Sequence, residues 1–209
     1  MRKRMQIGRR SLLGAAGLAL VLATTSALAQ QKPMRIRGTI EKVDGQNLTI
    51  KSREGKDLSV KLADKARVMA FVKASLADVK PGSYIGVAAM PQPDGSQRAF
   101  SVHIFLPSQR GTGEGFVPWD ARPNSTMTNA AVDTTVAGVD GQVLTLKYKG
   151  GEKKVIVPPG TPIVAYAPGD KSELKPGAKV LIFRAEPKAD GSLETRSINV
   201  GRGGLTPPM

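Results

Sequence analysis

The segment Val43-Asp44-Gly45-Gln46-Asn47-Leu48-Thr49-Ile50-Lys51 returns as Val139-Asp140-Gly141-Gln142-Val143-Leu144-Thr145-Leu146-Lys147, a constant offset of 96 residues. The register persists along the chain. Lys80-Pro81-Gly82 matches Lys175-Pro176-Gly177 at an offset of 95, and Asp94-Gly95-Ser96 matches Asp190-Gly191-Ser192 at 96. Ser101-Val102-His103-Ile104 then lies over Ser197-Ile198-Asn199-Val200. The copies cover 34–106 and 130–202, too long a period for a solenoid and therefore an internal duplication.

Each copy reads as a run of short strands. In the first, Ile36, Thr39 or Ile40, and Val43 lead into an Asp-Gly turn, after which Leu48, Ile50, Leu58, Val60 and Leu62 alternate with polar neighbours, the period of a half-buried strand. Glu54-Gly55 and Gly150-Gly151 supply hairpin turns. An apolar strand follows in each copy, Val68–Val72 and Ile163–Tyr166. A stretch ending in Lys-Pro-Gly, long enough for one helical turn, comes next, and then two more strands joined by the second Asp-Gly turn. Such a set in about 70 residues predicts an all-β chain of two tandem OB-like small β-barrels, with a small sandwich as the alternative. Residues 107–129 then form a Gly/Pro-rich linker and 203–209 a flexible tail, so that a cut in the linker leaves two fragments that each fold.

Residues 1–29 have the layout of a signal peptide: Arg2, Lys3, Arg4, Arg9 and Arg10 precede the apolar run Leu12–Leu22, and Ala27-Leu28-Ala29 supplies an A-x-A cleavage site that leaves Gln30 first in the mature chain. Arg9 and Arg10 before Leu12 and Leu13 point to the twin-arginine route, with a Sec signal as the alternative. Either signal predicts a periplasmic protein. No later segment reaches the roughly 18 apolar residues that a spanning helix needs. Removal of five basic residues and no acids lowers the net charge from +14 to +9, so the mature chain is itself basic.

The order V-D-G-x-x-L-T-(apolar)-K, an apolar strand, K-P-G and D-G-S resembles that of exported bacterial β-proteins grouped as a domain of unknown function with an OB-like barrel. The layout, with Arg110–Asp120 and Ser125–Asn129 between the copies, also looks like that of α-proteobacterial proteins labelled "metal ABC transporter permease". The resemblance implies fold and compartment and supplies no catalytic or binding residue; the label alone suggests an accessory to metal uptake.

The side chains available narrow the function. With no cysteine and one histidine, His103, the chain offers neither a thiol nucleophile nor a cluster of soft metal ligands, and no cofactor motif is present. Gly111, Gly113 and Gly115 lack the strand and helix that make a phosphate loop. Asp44, Asp94, Asp140 and Asp190 each precede Gly as turn formers. His103 reads as a surface or barrel-end residue. Phe116 and Trp119 pin the linker to a domain or, alternatively, form a ligand platform. The remaining asset is positive charge: Lys147, Lys149, Lys153 and Lys154 around one hairpin, and Lys51, Arg53 and Lys56 around its counterpart. Such lysines form a solvated face or a patch for an anionic envelope component. The compartment and the scarcity of stacking aromatics speak against nucleic acid. The sequence thus predicts a non-catalytic binding or scaffolding protein, with an enzyme of unknown type as a minor alternative.

Overall fold

The computed structural model describes residues 32–209. Ala27, Ala29 and Gln30, and the signal reading they carry, lie outside the described residues. The described residues form one compact unit. The fold is all-β, and no described helix is long and apolar enough to cross a membrane.

The first closed barrel contains β1 (Met34–Asp44), β2 (Asn47–Ser52) and β3 (Asp57–Lys73) from the first repeat and β11 (Lys179–Pro187) and β12 (Leu193–Gly201) from the second. β1 pairs β2, β2 pairs β3, β3 runs parallel to β12, β12 pairs β11, and β11 returns to β1. The complementary strands follow the same circuit. β7 (Thr126–Gly138), β8 (Gly141–Tyr148) and β9 (Gly151–Val157) of the second repeat join β4 (Tyr84–Pro91) and β5 (Gln97–Ile104) of the first. The repeats are therefore interleaved, not tandem, and the boundaries 34–106 and 130–202 are not barrel boundaries.

The length of β3 explains the exchange. The sequence predicts two strands around Leu58–Leu62 and Val68–Val72; the structure merges them into one strand of 17 residues, roughly 55 Å at 3.3 Å per residue. The chain therefore leaves its own ring on a straight strand before it turns. In the second repeat Pro158-Pro159-Gly160 interrupts the same path, splitting it into β9 and β10 (Ile163–Pro168), because proline cannot donate to the ladder. β10 and the end of β3 pair antiparallel, with Phe71 opposite Tyr166. These two residues are one offset of 95 apart and so are equivalent positions, which puts the pseudo-two-fold axis between them. Their ring centroids are 4.6 Å apart.

Each crossing ends in a short 3₁₀ turn, Leu76–Asp78 or Lys171–Glu173, where the sequence predicts one helical turn, and then in Lys-Pro-Gly. Pro81 and Gly82 occupy the centre of a turn closed by Ser83 N–H donating to Lys80 O at 2.9 Å, and Gly82 has φ +84°. Gly177, at φ +85°, repeats it. That is the type II turn, whose third position favours glycine. Each turn locks onto the other repeat: Gly82 N–H donates to Val132 O at 2.8 Å, and Gly177 N–H to Ile40 O at 2.8 Å. The receiving residues adjoin register shifts in β7 and β1.

The barrel interiors are aliphatic. Ile36, Ile40, Ile50, Val60 and Ile182 fill one, and Ile85, Val87, Leu144, Leu146 and Val155 the other. Seven of the nine aromatic residues instead pack in a third cluster outside both interiors. Met209 joins it at 1% exposure, so 205–209 is packed and not the flexible tail expected.

Two predictions follow from the exchange. A protease site inserted between Pro123 and Asn124, once cut, should leave two pieces that co-elute as one native particle on size exclusion; separate elution would return the repeats to independent barrels. Gly82→Ala and Gly177→Ala should each lower stability by about 1–2 kcal/mol in chemical denaturation, the cost of a left-handed backbone for a residue with a Cβ.

Candidate ligand-binding cleft

A cleft of about 860 Å³ opens beside the outer face of the first barrel, where β11, β1 and β2 run side by side. Cross-strand register puts Lys179, Thr39 and Lys51 in one row. Arg37 lies two residues from Thr39 and so on the same face. Arg53 stands in the same relation to Lys51, and Lys179 Nζ donates to Thr39 Oγ1 at 2.8 Å. The facing wall comes from the other half of the molecule: Phe100 of β5, Arg122 of the linker and Pro162 before β10, with Thr206–Met209 alongside. The Arg122 guanidinium sits 4.1 Å over the Phe100 ring, a cation–π contact between two residues of this wall.

Five basic side chains and one acidic side chain, Glu41, line this space. Lys51 is tied to Asp57 at 3.1 Å and Glu41 at 3.6 Å, and its pKa is raised, chiefly by the Asp57 hydrogen bond. Arg53 reaches Glu54 at 3.6 Å. Arg37 donates to Asp120 at 2.7 Å and, through Nε, to Met209 O. Burial works to raise the Asp120 carboxyl, but hydrogen bonds from Arg37 and Arg35 outweigh it and hold the group below the ordinary range. Arg122 and Lys179 have no ion-pair partner among the described residues. The wall thus carries charge that its own carboxylates leave uncompensated, an arrangement suited to phosphate, sulfate or carboxylate groups.

The sequence groups Lys51, Arg53 and Lys56 around one hairpin; Lys51 and Arg53 line the cleft, and Lys56, exposed between β2 and β3, does not. Arg37, Arg122 and Lys179 were missed because they come from three distant segments that only the strand exchange assembles. The four lysines of the second repeat do not make one patch. Lys153 lies opposite buried Leu146 and Lys154 opposite Thr145, so adjacent positions on β9 face opposite sides. Lys153 Nζ lies 4.5 Å from the Phe116 ring centroid, Lys147 pairs with Asp133 at 3.0 Å, and Lys149 sits in the following turn. Phe116 and Trp119 are likewise separate. Phe116 belongs to a short strand, β6 (Gly115–Pro118), added to β7. Trp119 packs 3.8 Å from the Arg35 guanidinium and 6.3 Å from Phe183, which fixes the linker to the first barrel.

His103 is buried, against the surface or barrel-end expectation, at 2% exposure. It packs edge-on against Phe105 and Tyr166 at 4.7 and 5.7 Å. Room for it comes from Gly86 across the strand pair, where a Cβ would collide with the imidazole and with Asn129 Oδ1. Burial pushes its pKa down to about 3, and Nδ1 finds no partner among the described residues. It therefore sits away from any solvent-borne substrate. Among the described residues no three His, Cys, Asp or Glu side chains converge on a metal-sized site.

Comparison with protein-family models, curated proteins and solved structures gives no match. Residue chemistry alone must therefore carry the functional reading.

Between the ordinary value of 6.5 and the native value near 3, the unfolded chain binds a proton that buried His103 refuses, so acidification destabilises the fold through this window. His103→Asn should remove about 1.4 kcal/mol per pH unit of that dependence. Asn199 occupies the equivalent place and donates to Leu181 O at 2.9 Å, so asparagine suits the position. Denaturant titrations of both proteins from pH 6 to 4 are the measurement; equal slopes would refute the assignment.

Proposed function

We propose that the protein is an exported, periplasmic, non-catalytic binding module, built of two OB-like barrels with exchanged strands, whose cationic cleft takes an anionic component of the cell envelope. The observation that carries this reading is the convergence of Arg37, Lys51, Arg53, Arg122 and Lys179 on one cleft, with Arg122 and Lys179 free of ion pairs among the described residues. The strand order 1-2-3-5-4 within each ring, with the first and fourth antiparallel and the third and fifth parallel, supports the OB-like description. The basic start, apolar run and A-x-A site of residues 1–29 support export.

An enzyme would need a nucleophile and a base in reach of each other. The only imidazole is enclosed among aromatic rings, and the cleft is furnished with cations and hydroxyls. An accessory to metal uptake would need neutral or anionic ligands, which ammonium and guanidinium groups are not.

The test compares lipopolysaccharide and an acidic glycan as ligands across a salt series. Arg122→Gln with Lys179→Gln should weaken binding about tenfold and flatten its salt dependence, since screening acts on the charges removed. Lys147→Gln with Lys154→Gln, on the far barrel, should change neither. Equal loss from the two pairs would reduce the effect to net charge.

A further inference from the structure

The two halves treat one strand edge differently. After β5 and after β12 the chain takes the same route, a 3₁₀ turn at Pro107–Gln109 or Arg202–Gly204 and then a return over the other repeat's first strand. Asn129 Nδ2 donates to Gly113 O at 3.1 Å in one half, and Arg37 Nε donates to Met209 O in the other. Positions 129 and 37 are equivalent, since Asn129 faces Gly86 and Arg37 faces Leu181, one offset of 95 further on. Past Gly113 the chain continues as β6, an antiparallel strand laid along Thr126–Asn129 of β7. The matching stretch of β1, Met34–Arg37, has no strand on that side among the described residues: pairing with β2 begins at Gly38, and the last main-chain bond is Arg53 N–H to Arg37 O at 2.7 Å. Because alternate residues of a strand present N–H and C=O to the same edge, those of Arg35 and the carbonyl of Pro33 face this open side.

We propose that the open edge of Met34–Arg37 binds an extended acidic peptide segment of a partner protein as an added antiparallel strand. The molecule carries its own template for the complex. In the filled half Glu114 accepts from Lys149 N–H at 2.9 Å, Phe116 packs beside Lys153, Val117 lies opposite Met127, and Trp119 N–H donates to Ser125 O at 2.7 Å. The corresponding positions of the open half are Arg53, Leu58, Arg35 and Pro33. An acidic residue therefore meets Arg53, an apolar residue two places on meets half-buried Leu58, and a later N–H meets the Pro33 carbonyl. Met34 adds an exposed apolar surface at 41% exposure. Arg37, Arg53 and Arg122 set the sign of the partner, while the Arg35 side chain is engaged by Asp120 and Trp119. Main-chain bonds supply the affinity and the alternating side chains the selectivity, as in strand addition generally.

The probe is a labelled synthetic peptide with the sequence of residues 111–119, which holds the acid, spacer and aromatic in order. The full mature chain should bind it one to one, with slowed hydrogen exchange at the Arg35 amide. Arg35→Pro removes that donor and should weaken binding at least about tenfold, whereas Arg35→Ala keeps the donor and should stay within about threefold. A peptide N-methylated at its valine tests the same bonds without altering the protein, and should also lose about tenfold. No saturable binding, equal binding of the N-methylated peptide, or unchanged exchange at Arg35 would overturn the proposal. Binding of an anionic glycan that depends on Arg122 and Lys179 is independent of the Arg35 amide, so either reading fails without the other.

Discussion

The antiparallel contact between β3 and β10 is what the rest of the molecule depends on. It is a short ribbon of five residue pairs, yet it lies on the pseudo-two-fold axis and joins the two strands that carry the chain between rings. Phe71 and Tyr166 meet at its centre, and Tyr166 stacks in turn on Phe105 at 5.2 Å. Were the ribbon to bend back, each repeat would close a ring with its own last two strands. The straight path instead commits both repeats at once, and neither ring is complete without the other.

Aromatic placement follows from this arrangement. A ring of five short strands encloses little space, and branched aliphatic residues fill it from alternating strand positions. Phe71, Tyr84, Phe105 and Tyr166 lie outside both interiors, in the cluster that holds the halves together. Sites that need residues from both halves, the cationic cleft among them, can then rest on a fixed geometry. Arg122 and Lys179 share one cleft because the linker is held to the first barrel by Trp119, which packs on Arg35 of β1 and Phe183 of β11, and by Asp120, which pairs with Arg35.

Much of the fold was legible in the sequence. Period-2 alternation marks Leu48 to Leu62, Asp-Gly and Lys-Pro-Gly mark the turns, and the constant offset marks the duplication. The exchange was hidden because those signals do not depend on it: Ile85 and Val87 face a ring interior whichever repeat's first strand lies beside them. The clue was the lack of any breaker between Leu62 and Val68, where the second repeat has three prolines from Pro158 to Pro162. Of the cleft, Lys51 and Arg53 were visible as charges on a hairpin, but Arg37, Arg122 and Lys179 have no shared pattern in sequence. His103 was misplaced since its neighbours Val102 and Ile104 give no hint that the other face of β5 is also covered.

Divergence between equivalent positions shows how the two halves acquired different surfaces. At one place the second barrel's strands carry Gly86, His103 and Asn129 side by side, and the first barrel has Leu181, Asn199 and Arg37. Glycine makes room for a buried imidazole, and the leucine that replaces it closes that space and pairs with an asparagine satisfied by the Leu181 carbonyl. The third position then differs in kind. Asn129 is neutral and holds the linker through main-chain oxygens of Thr112 and Gly113, whereas Arg37 brings a charge that must be met by Asp120 or by a ligand. A linker strand seals the neutral side, and among the described residues the charged side is left with an open edge and an open cleft. The duplication therefore yields one half that closes on its own chain and one half whose cations, among the described residues, stay turned toward solvent.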